Sequence, residues 1–238
     1  MTIDPRTGRV FVGNQGRRRR YHPHPGTMPD PAQPERVVDV YADVSCPFAH
    51  FSLRRFSDRR RQAGTQHVRL RVYAWPLELA NGEPLDAGKV VDEIADLRAQ
   101  VAGDLFGGFD PAAFPSSTIA ILGTATLAYQ HGADIGETFN LAIREALFEQ
   151  GRPIGDPDVL AEIAARFGLE VPDAAAARAV VDADFAEGER RGVTGSPYFI
   201  VDGIPFFCPT LDIERQGEHL RIDIDDAEFD RFIDRALQ

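Results

Sequence analysis

Tyr41-Ala-Asp-Val-Ser-Cys-Pro-Phe-Ala-His50 is the stretch on which the reading of this chain turns. It overlaps Val37-Val-Asp-Val-Tyr-Ala-Asp43, which is rich in β-branched residues and closes on a polar turn, the pattern of a short buried strand. Pro47 suits the first position of a helix, where the missing N–H costs nothing and φ is already set. Cys46 is therefore expected at the N-cap of a helix leaving the end of a strand. There, unpaired backbone N–H groups and the positive end of the helix dipole favour thiolate over thiol. The dipole contributes at most about 1–2 kcal/mol, or roughly one pK unit, which moves a free cysteine from about 8.5 towards neutrality. A usable nucleophile is one reading of Cys46. A small buried hydrophobe at a strand end is the other, since most free cysteines are buried and inert. Three residues on, where a disulfide-exchanging motif has its second cysteine, stands Ala49.

A second segment bears on the choice: Gly192-Val-Thr-Gly-Ser-Pro-Tyr-Phe-Ile-Val-Asp-Gly-Ile-Pro-Phe-Phe-Cys208. It reads as a loop, a strand from Tyr198 to Val201, an Asp202-Gly203 turn and a returning strand to Cys208. Asp-Gly between apolar runs is a strong hairpin signal. With a two-residue turn, Val201 faces Ile204, Tyr198 faces Phe207 and Pro197 faces Cys208. The Ser196-Pro197 peptide is a candidate cis bond; a trans proline opening an edge strand is the ordinary alternative.

The two segments, in this order and about 150 residues apart, resemble the thioredoxin superfamily. More narrowly, the chain is similar to the DsbA-like branch that includes the FrnE-type proteins, 2-hydroxychromene-2-carboxylate isomerase and kappa-class glutathione transferase. Cys46-Pro-Phe-Ala49 aligns with that branch's Cys-Pro-x-Cys or Ser-Pro-x-Ser motif. Gly192-Val-Thr-Gly-Ser-Pro197 matches its Gly-Val-x-Gly-x-Pro loop, whose proline is cis in the family. Phe148-Glu-Gln-Gly-Arg-Pro-Ile-Gly-Asp-Pro-Asp-Val-Leu160 resembles the signature of its helical insertion, and Trp75-Pro-Leu-Glu-Leu79 its Pro-x-x-Leu turn beside the active site. The resemblance spans residues 37 to 237 and implies an α/β, thioredoxin-like fold with a central mixed sheet, flanking helices and an α-helical insertion. The departures are Ala49 and Phe207-Cys208-Pro209.

The chain has 238 residues, 43% hydrophobic and 26% charged, ordinary values for a soluble globular protein. No run of eighteen apolar residues is present, so no membrane span is expected. Arg17 to Arg20 have no apolar stretch behind them, so no secretory signal is read either. Two cysteines and no export signal point to a reducing cytoplasm. Net charge is −11, divided as +4 over residues 1 to 36 and −15 over the remainder. A body this acidic repels a phosphate backbone, which argues against nucleic acid as the main partner. Residues 1 to 36, rich in Pro, Gly and Arg without apolar periodicity, are expected to be a disordered extension.

The organisation expected is a first thioredoxin-like part over 37–83, an α-helical insertion over 84–173 and a second thioredoxin-like part over 174–238. Phe48, Phe51, Leu53 and Phe56 give a helical pattern ending near Gly64, and His67 to Trp75 alternates as a strand, so a parallel pair is expected. Lys89–Val101, Ser117–His131, Thr138–Gln150 and Asp158–Phe167 carry helical spacing, with Asp156-Pro157 as a cap and Gly168 as a stop. Ala174–Arg191 and Asp226–Leu237 read as two further helices. Residues 219–224 read as a short edge strand.

Around Cys46 the supporting residues are Pro47, Phe48, Ala49, His50 and Cys208. Cys208 is either a non-adjacent resolving thiol, needing a Cα separation below about 7 Å, or a small residue shaping the cleft floor. His50 is one turn above Cys46, either paired with the thiol or turned to solvent. Asp43 is a buried carboxylate near the thiol or a polar strand end. Trp75 and Tyr73 are core or cleft wall. His22, His24, His131 and His219 lack metal-ligand spacing, and no metal is expected.

The resemblance implies a thiol-dependent oxidoreductase with Cys46 as nucleophile. Thr194, Gly195, Ser196, Pro197 and Trp75 are the expected thiol-binding residues, Ser196 offering its backbone to an extended thiol. With Ala49 in place of a resolving cysteine, the expected cofactor is a low-molecular-weight thiol, glutathione or an equivalent, joined to Cys46 as a mixed disulfide. The expected partners are a small-molecule or peptide thiol and, for assembly, a second copy in a homodimer. A thiol-dependent isomerase or transferase and a non-catalytic binding module stay open as alternatives.

Overall fold

The computed structural model describes residues 2–3, 10–11, 35–217 and 219–238. The extension expected over 1–36, with Arg17 to Arg20, lies mostly outside the described residues; within it Thr2–Ile3 (β1) pairs antiparallel with Val10–Phe11 (β2).

The central sheet is built on Arg36–Ala42 (β3), whose nearly continuous apolar run suits a strand covered on both faces. Val68–Ala74 (β4) pairs with it in parallel, Arg36 opposite Val68 through Ala42 opposite Ala74. Tyr198–Val201 (β5) runs antiparallel on the other side and continues by hairpin into Ile204–Phe207 (β6), giving the order β4-β3-β5-β6. The hairpin register is the one the Asp-Gly turn dictates, with φ +50° at Asp202 and +77° at Gly203, the left-handed pair a tight hairpin needs.

Pro47–Ala63 (α1) connects β3 to β4 and stops at Gly64, whose φ of +70° closes the last turn. Val38, Val40 and Ala42 face one side of the sheet, where Leu53 and Phe56 of α1 and Phe229, Phe232 and Ile233 of Asp226–Leu237 (α8) complete the core. Tyr41 faces the other side, with Trp75, Tyr198 and Ile200 against Phe185 of Ala174–Arg190 (α7).

Between β4 and α7 the structure is helical: Leu77–Ala80 (α2), Ala87–Gln100 (α3), Ile119–Ala128 (α4), Ala133–Phe148 (α5) and Pro157–Ala165 (α6), with 3-10 turns at Pro111–Ala113 and Tyr129–His131. These helices enclose a second core around Leu97, Phe139, Ile143, Leu147 and Phe148. Together with α7 they also cover the outer edge of β4. Its N–H groups at Leu70, Val72 and Ala74 donate to Glu137, Tyr129 Oη and Asp184 (2.9–3.0 Å). An open edge is thereby closed by side chains.

The expected edge strand at 219–224 takes a different place. His219–Ile224 (β8) pairs with Leu211–Gln216 (β7) in a ribbon separate from the central sheet. Asp96 and Gln100 of α3 bond the backbone of Leu220 and Ile222, so the ribbon seats on the insertion instead.

Candidate active site

β3 delivers Asp43 to the end of the sheet, and this residue ties the surrounding segments together. Its carboxylate accepts from Ser45 N–H and Oγ–H (2.8 Å each), from Leu77 N–H (2.6 Å) and from Thr118 Oγ1 (3.4 Å). Its N–H donates to Ser196 Oγ (2.9 Å), and its carbonyl accepts from Arg144 Nη1 (2.5 Å) and from Cys46 N–H (3.4 Å). Strand end, α2, insertion and proline loop all meet at one residue. Burial pushes the Asp43 carboxyl up, against the hydrogen bonds from Ser45 and Leu77.

Cys46 occupies the N-cap of α1 with extended geometry (φ −79°, ψ 116°), and Pro47 follows as the first helical residue. Its Sγ donates to the Ser196 carbonyl at 3.2 Å, and the Ser196-Pro197 peptide is cis. The expected activation by the helix terminus is not what the surroundings produce. Only 3% of Cys46 is exposed, and burial pushes its thiol up to about 11. The Ser196 and Ala49 contacts work the other way, while Glu93 and Asp43 add negative charge. A dipole worth about one pK unit is outweighed by desolvation.

The proline loop presents Thr194 to solvent, Gly195 and Ser196 half-buried and Pro197 buried. Phe207, 58% exposed, lies over Gly195, where an added Cβ would come within 2.7 Å of the ring. Cys208 N–H donates to the Pro197 carbonyl (3.0 Å), which puts Cys208 at the proline-loop end of the hairpin as the register requires. Cys208 is buried with φ +44°, and burial pushes its thiol up to about 12. Both cysteines are free thiols.

The other expected residues divide. Ala49 is fully buried beneath the thiol, and Phe48 bridges the two main cores. His50 is turned neither to solvent nor to Cys46. Its Nε2 meets Glu149 Oε1 at 2.8 Å, its ring stacks on Phe148, and Phe106 abuts it edge-on. Burial lowers its pKa. Trp75, expected among the thiol-binding residues, is 4% exposed and stacks on Phe185 beneath Gly188, so it belongs to the core on the α7 side.

Two further ionisable residues bear on this turn: Glu93 opposes a Cys46 thiolate, and Arg144 grips the Asp43 carbonyl. Glu93 of α3 is pushed up to about 7 by burial, with Arg215 and Lys89 opposing, and it lines a cavity of about 770 Å³ with Asn81, Asp86 and Ser116. Arg144 of α5 is wholly buried. An Asn140–Arg144 pair on the face that carries Phe139, Ile143 and Leu147 was the sequence signal for it. Glu93 sits among too many acidic neighbours for any such signal.

The geometry suits thiol chemistry on an extended ligand: one thiol at a helix start, a carbonyl beside it, and an apolar residue where a second thiol usually stands. The sequence profile of the DSBA-like thioredoxin domain matches residues 37–221. The chain belongs to the DSBA-like thioredoxin domain family. Among curated proteins none matches it. Among solved structures, a probable DsbA oxidoreductase from Streptomyces coelicolor is similar at 20% identity and a TM-score of 0.52, over 71% of this chain and 82% of that one. A 2-hydroxychromene-2-carboxylate isomerase is similar at 18% identity and a TM-score of 0.51, over 72% and 88%. The cytosolic disulfide reductase DsbM from Pseudomonas aeruginosa, in a structure with GSH, is similar at 20% identity and a TM-score of 0.51, over 71% and 88%. At these identities the likeness is one of fold. No helix among the described residues is long and apolar enough to cross a membrane.

Proposed function

We propose that this DSBA-like protein is a single-cysteine thiol oxidoreductase that exchanges Cys46 with a low-molecular-weight thiol such as glutathione. The observation that carries the reading is the Cys46 sulfur held 3.2 Å from the carbonyl before Pro197, with buried Ala49 three residues on. The solved structure of a cytosolic disulfide reductase of this fold with GSH supports the choice of thiol and a cytoplasmic setting. In the exchange, the Cys46 thiol gives its proton to solvent and its sulfur attacks one sulfur of a small disulfide. The S–S bond breaks, a Cys46 mixed disulfide forms, and the departing thiolate takes up a proton. With the resting thiol near 11, the rate climbs with pH through the alkaline range.

A second reading has its own observation. A neutral thiol is suited to orienting a bound thiol, as an isomerase or transferase requires, once its proton turns from the Ser196 carbonyl to the ligand sulfur, and an isomerase is among the structures of similar fold.

Intact mass after exposure to oxidised glutathione at pH 8.5 separates the two. The exchange reading expects one glutathione adduct, absent in Cys46→Ser and kept by both wild type and Cys208→Ser until reductant is added. Adduct release with an internal disulfide in wild type alone would make Cys208 the resolving thiol. No adduct at Cys46 would remove the oxidoreductase in favour of the isomerase or transferase.

A further inference from the structure

Arg144 is buried in a way that the fold does not account for. Its Nε donates to Asn140 Oδ1 (3.0 Å) and its Nη1 to the Asp43 carbonyl, but Nη2, also buried, has no partner among the described residues. Among the described residues no carboxylate lies within ion-pair distance of it, whereas Arg60, the other buried arginine, bridges Glu137 at 2.5 Å. A buried guanidinium whose partners are one backbone carbonyl and one side-chain amide carries its desolvation cost without a matching anion. The carbonyl that Arg144 grips also receives the Cys46 N–H, so guanidinium and cysteine hang from one acceptor. The acidic groups in its field are Asp43, Cys46 and Tyr129. The Asp43 carboxylate is spent on Ser45, Leu77 and Thr118, and the Tyr129 hydroxyl on the edge of β4. The sulfur is the one group left that gains a charge in the reaction.

We propose that Arg144 is the resident counter-charge of Cys46, a positioning residue that holds the Cys46 turn and offsets the negative sulfur during exchange with a small disulfide. This rests on the exchange reading above. Glu93 from α3, Asp43 from the strand end and Cys208 from the hairpin oppose a thiolate at Cys46, and Arg144 from α5 is the cation set against them. The cation sits on the helical insertion, so the insertion is part of the thiol's machinery.

The test uses Cys208→Ser as background and 4,4′-dithiodipyridine as probe, with stopped-flow rates from pH 7 to 10.5. Arg144→Met should lower the rate roughly threefold at each pH below the inflection, a tenfold loss of thiolate for one pK unit partly offset by the greater nucleophilicity of the more basic sulfur, and Arg144→Lys should restore most of it. A folded Arg144→Met with an unchanged profile overturns the proposal, as does a loss that Arg144→Lys fails to restore. Should Arg144→Met not fold, or should Cys46 accept no adduct at all, a second comparison still decides. With Arg144 intact, Cys46→Asp should melt at or above Cys46→Asn at pH 8, because the new carboxylate meets a waiting cation. A Cys46→Asp protein that melts several degrees lower shows that no such cation faces the site.

Discussion

Within a few residues of the Cys46 sulfur, the charges pull in opposite directions, and the carboxylates are the more numerous. Glu93 is the one whose effect is easiest to isolate, because it is half-buried at the cleft and stands outside the Asp43 network. Its carboxyl is raised to about 7 from an ordinary 4.5. The folded protein therefore holds this proton more tightly than the unfolded chain. The associated stability is fully present below about 4.5 and is lost as pH rises through about 7. Glu93→Gln is expected to match wild type at pH 4 and to exceed it at pH 8.5 by on the order of 2 kcal/mol. Urea midpoints at the two pH values measure this. The same substitution removes a negative charge opposing the thiolate, so Cys46 alkylation at pH 8.5 should quicken a few-fold. A mutant that is less stable at pH 8.5, or slower to alkylate, would mean that Glu93 is ionised and paired there.

At the scale of elements, what the sequence declared was what local chemistry decides. Asp202-Gly203 set the hairpin register and Cys46-Pro47 set the start of α1, because turn geometry and a missing N–H act over a few residues. Positions that depend on distant partners were not declared. The ribbon of β7 and β8 seats on Asp96 and Gln100, more than a hundred residues away, and Arg144 finds Asp43 across a similar span. Helix ends shifted as well: α5 begins at Ala133, five residues before its expected start, where Tyr129 of the preceding 3-10 turn packs tightly on Gly136. The contact between α4 and α7 shows how much such distant packing weighs. A Cβ placed on Gly123 would lie 2.6 Å from the Cα of Ala177, backbone that cannot move without displacing the helix. Gly123→Ala gains helix propensity of about 1 kcal/mol and still should destabilise the fold by about 1–3 kcal/mol net. Thermal unfolding checks it; an unchanged or raised Tm would show that the two helices separate freely.

Across the whole molecule, the insertion is joined to the thioredoxin-like part by a clasp next to the thiol. Glu149, just past the end of α5, accepts from His50 of α1 and from the N–H groups of Phe106 and Gly107. Sequence placed His50 beside Cys46 along the chain, but the ring's direction is set by Phe106 and Phe148, which arrive only when the insertion folds back. Its pKa lies below the ordinary 6.5 because burial disfavours the charged ring, despite the nearby carboxylate. The folded state therefore binds this proton less readily than the unfolded chain. The stability it confers is complete above about 6.5 and falls as pH drops below that value. His50→Gln keeps a donor for Glu149 but cannot titrate. At pH 7.5 it should be less stable than wild type by about 1–3 kcal/mol, having lost the ring's packing. At pH 5 the difference should narrow, because only wild type then bears the cost of the histidine proton. Guanidinium midpoints at both pH values measure the two gaps. A gap that widens on acidification would mean that His50 is charged and paired with Glu149 in the folded protein, and the clasp would then be an ion pair that tightens in acid.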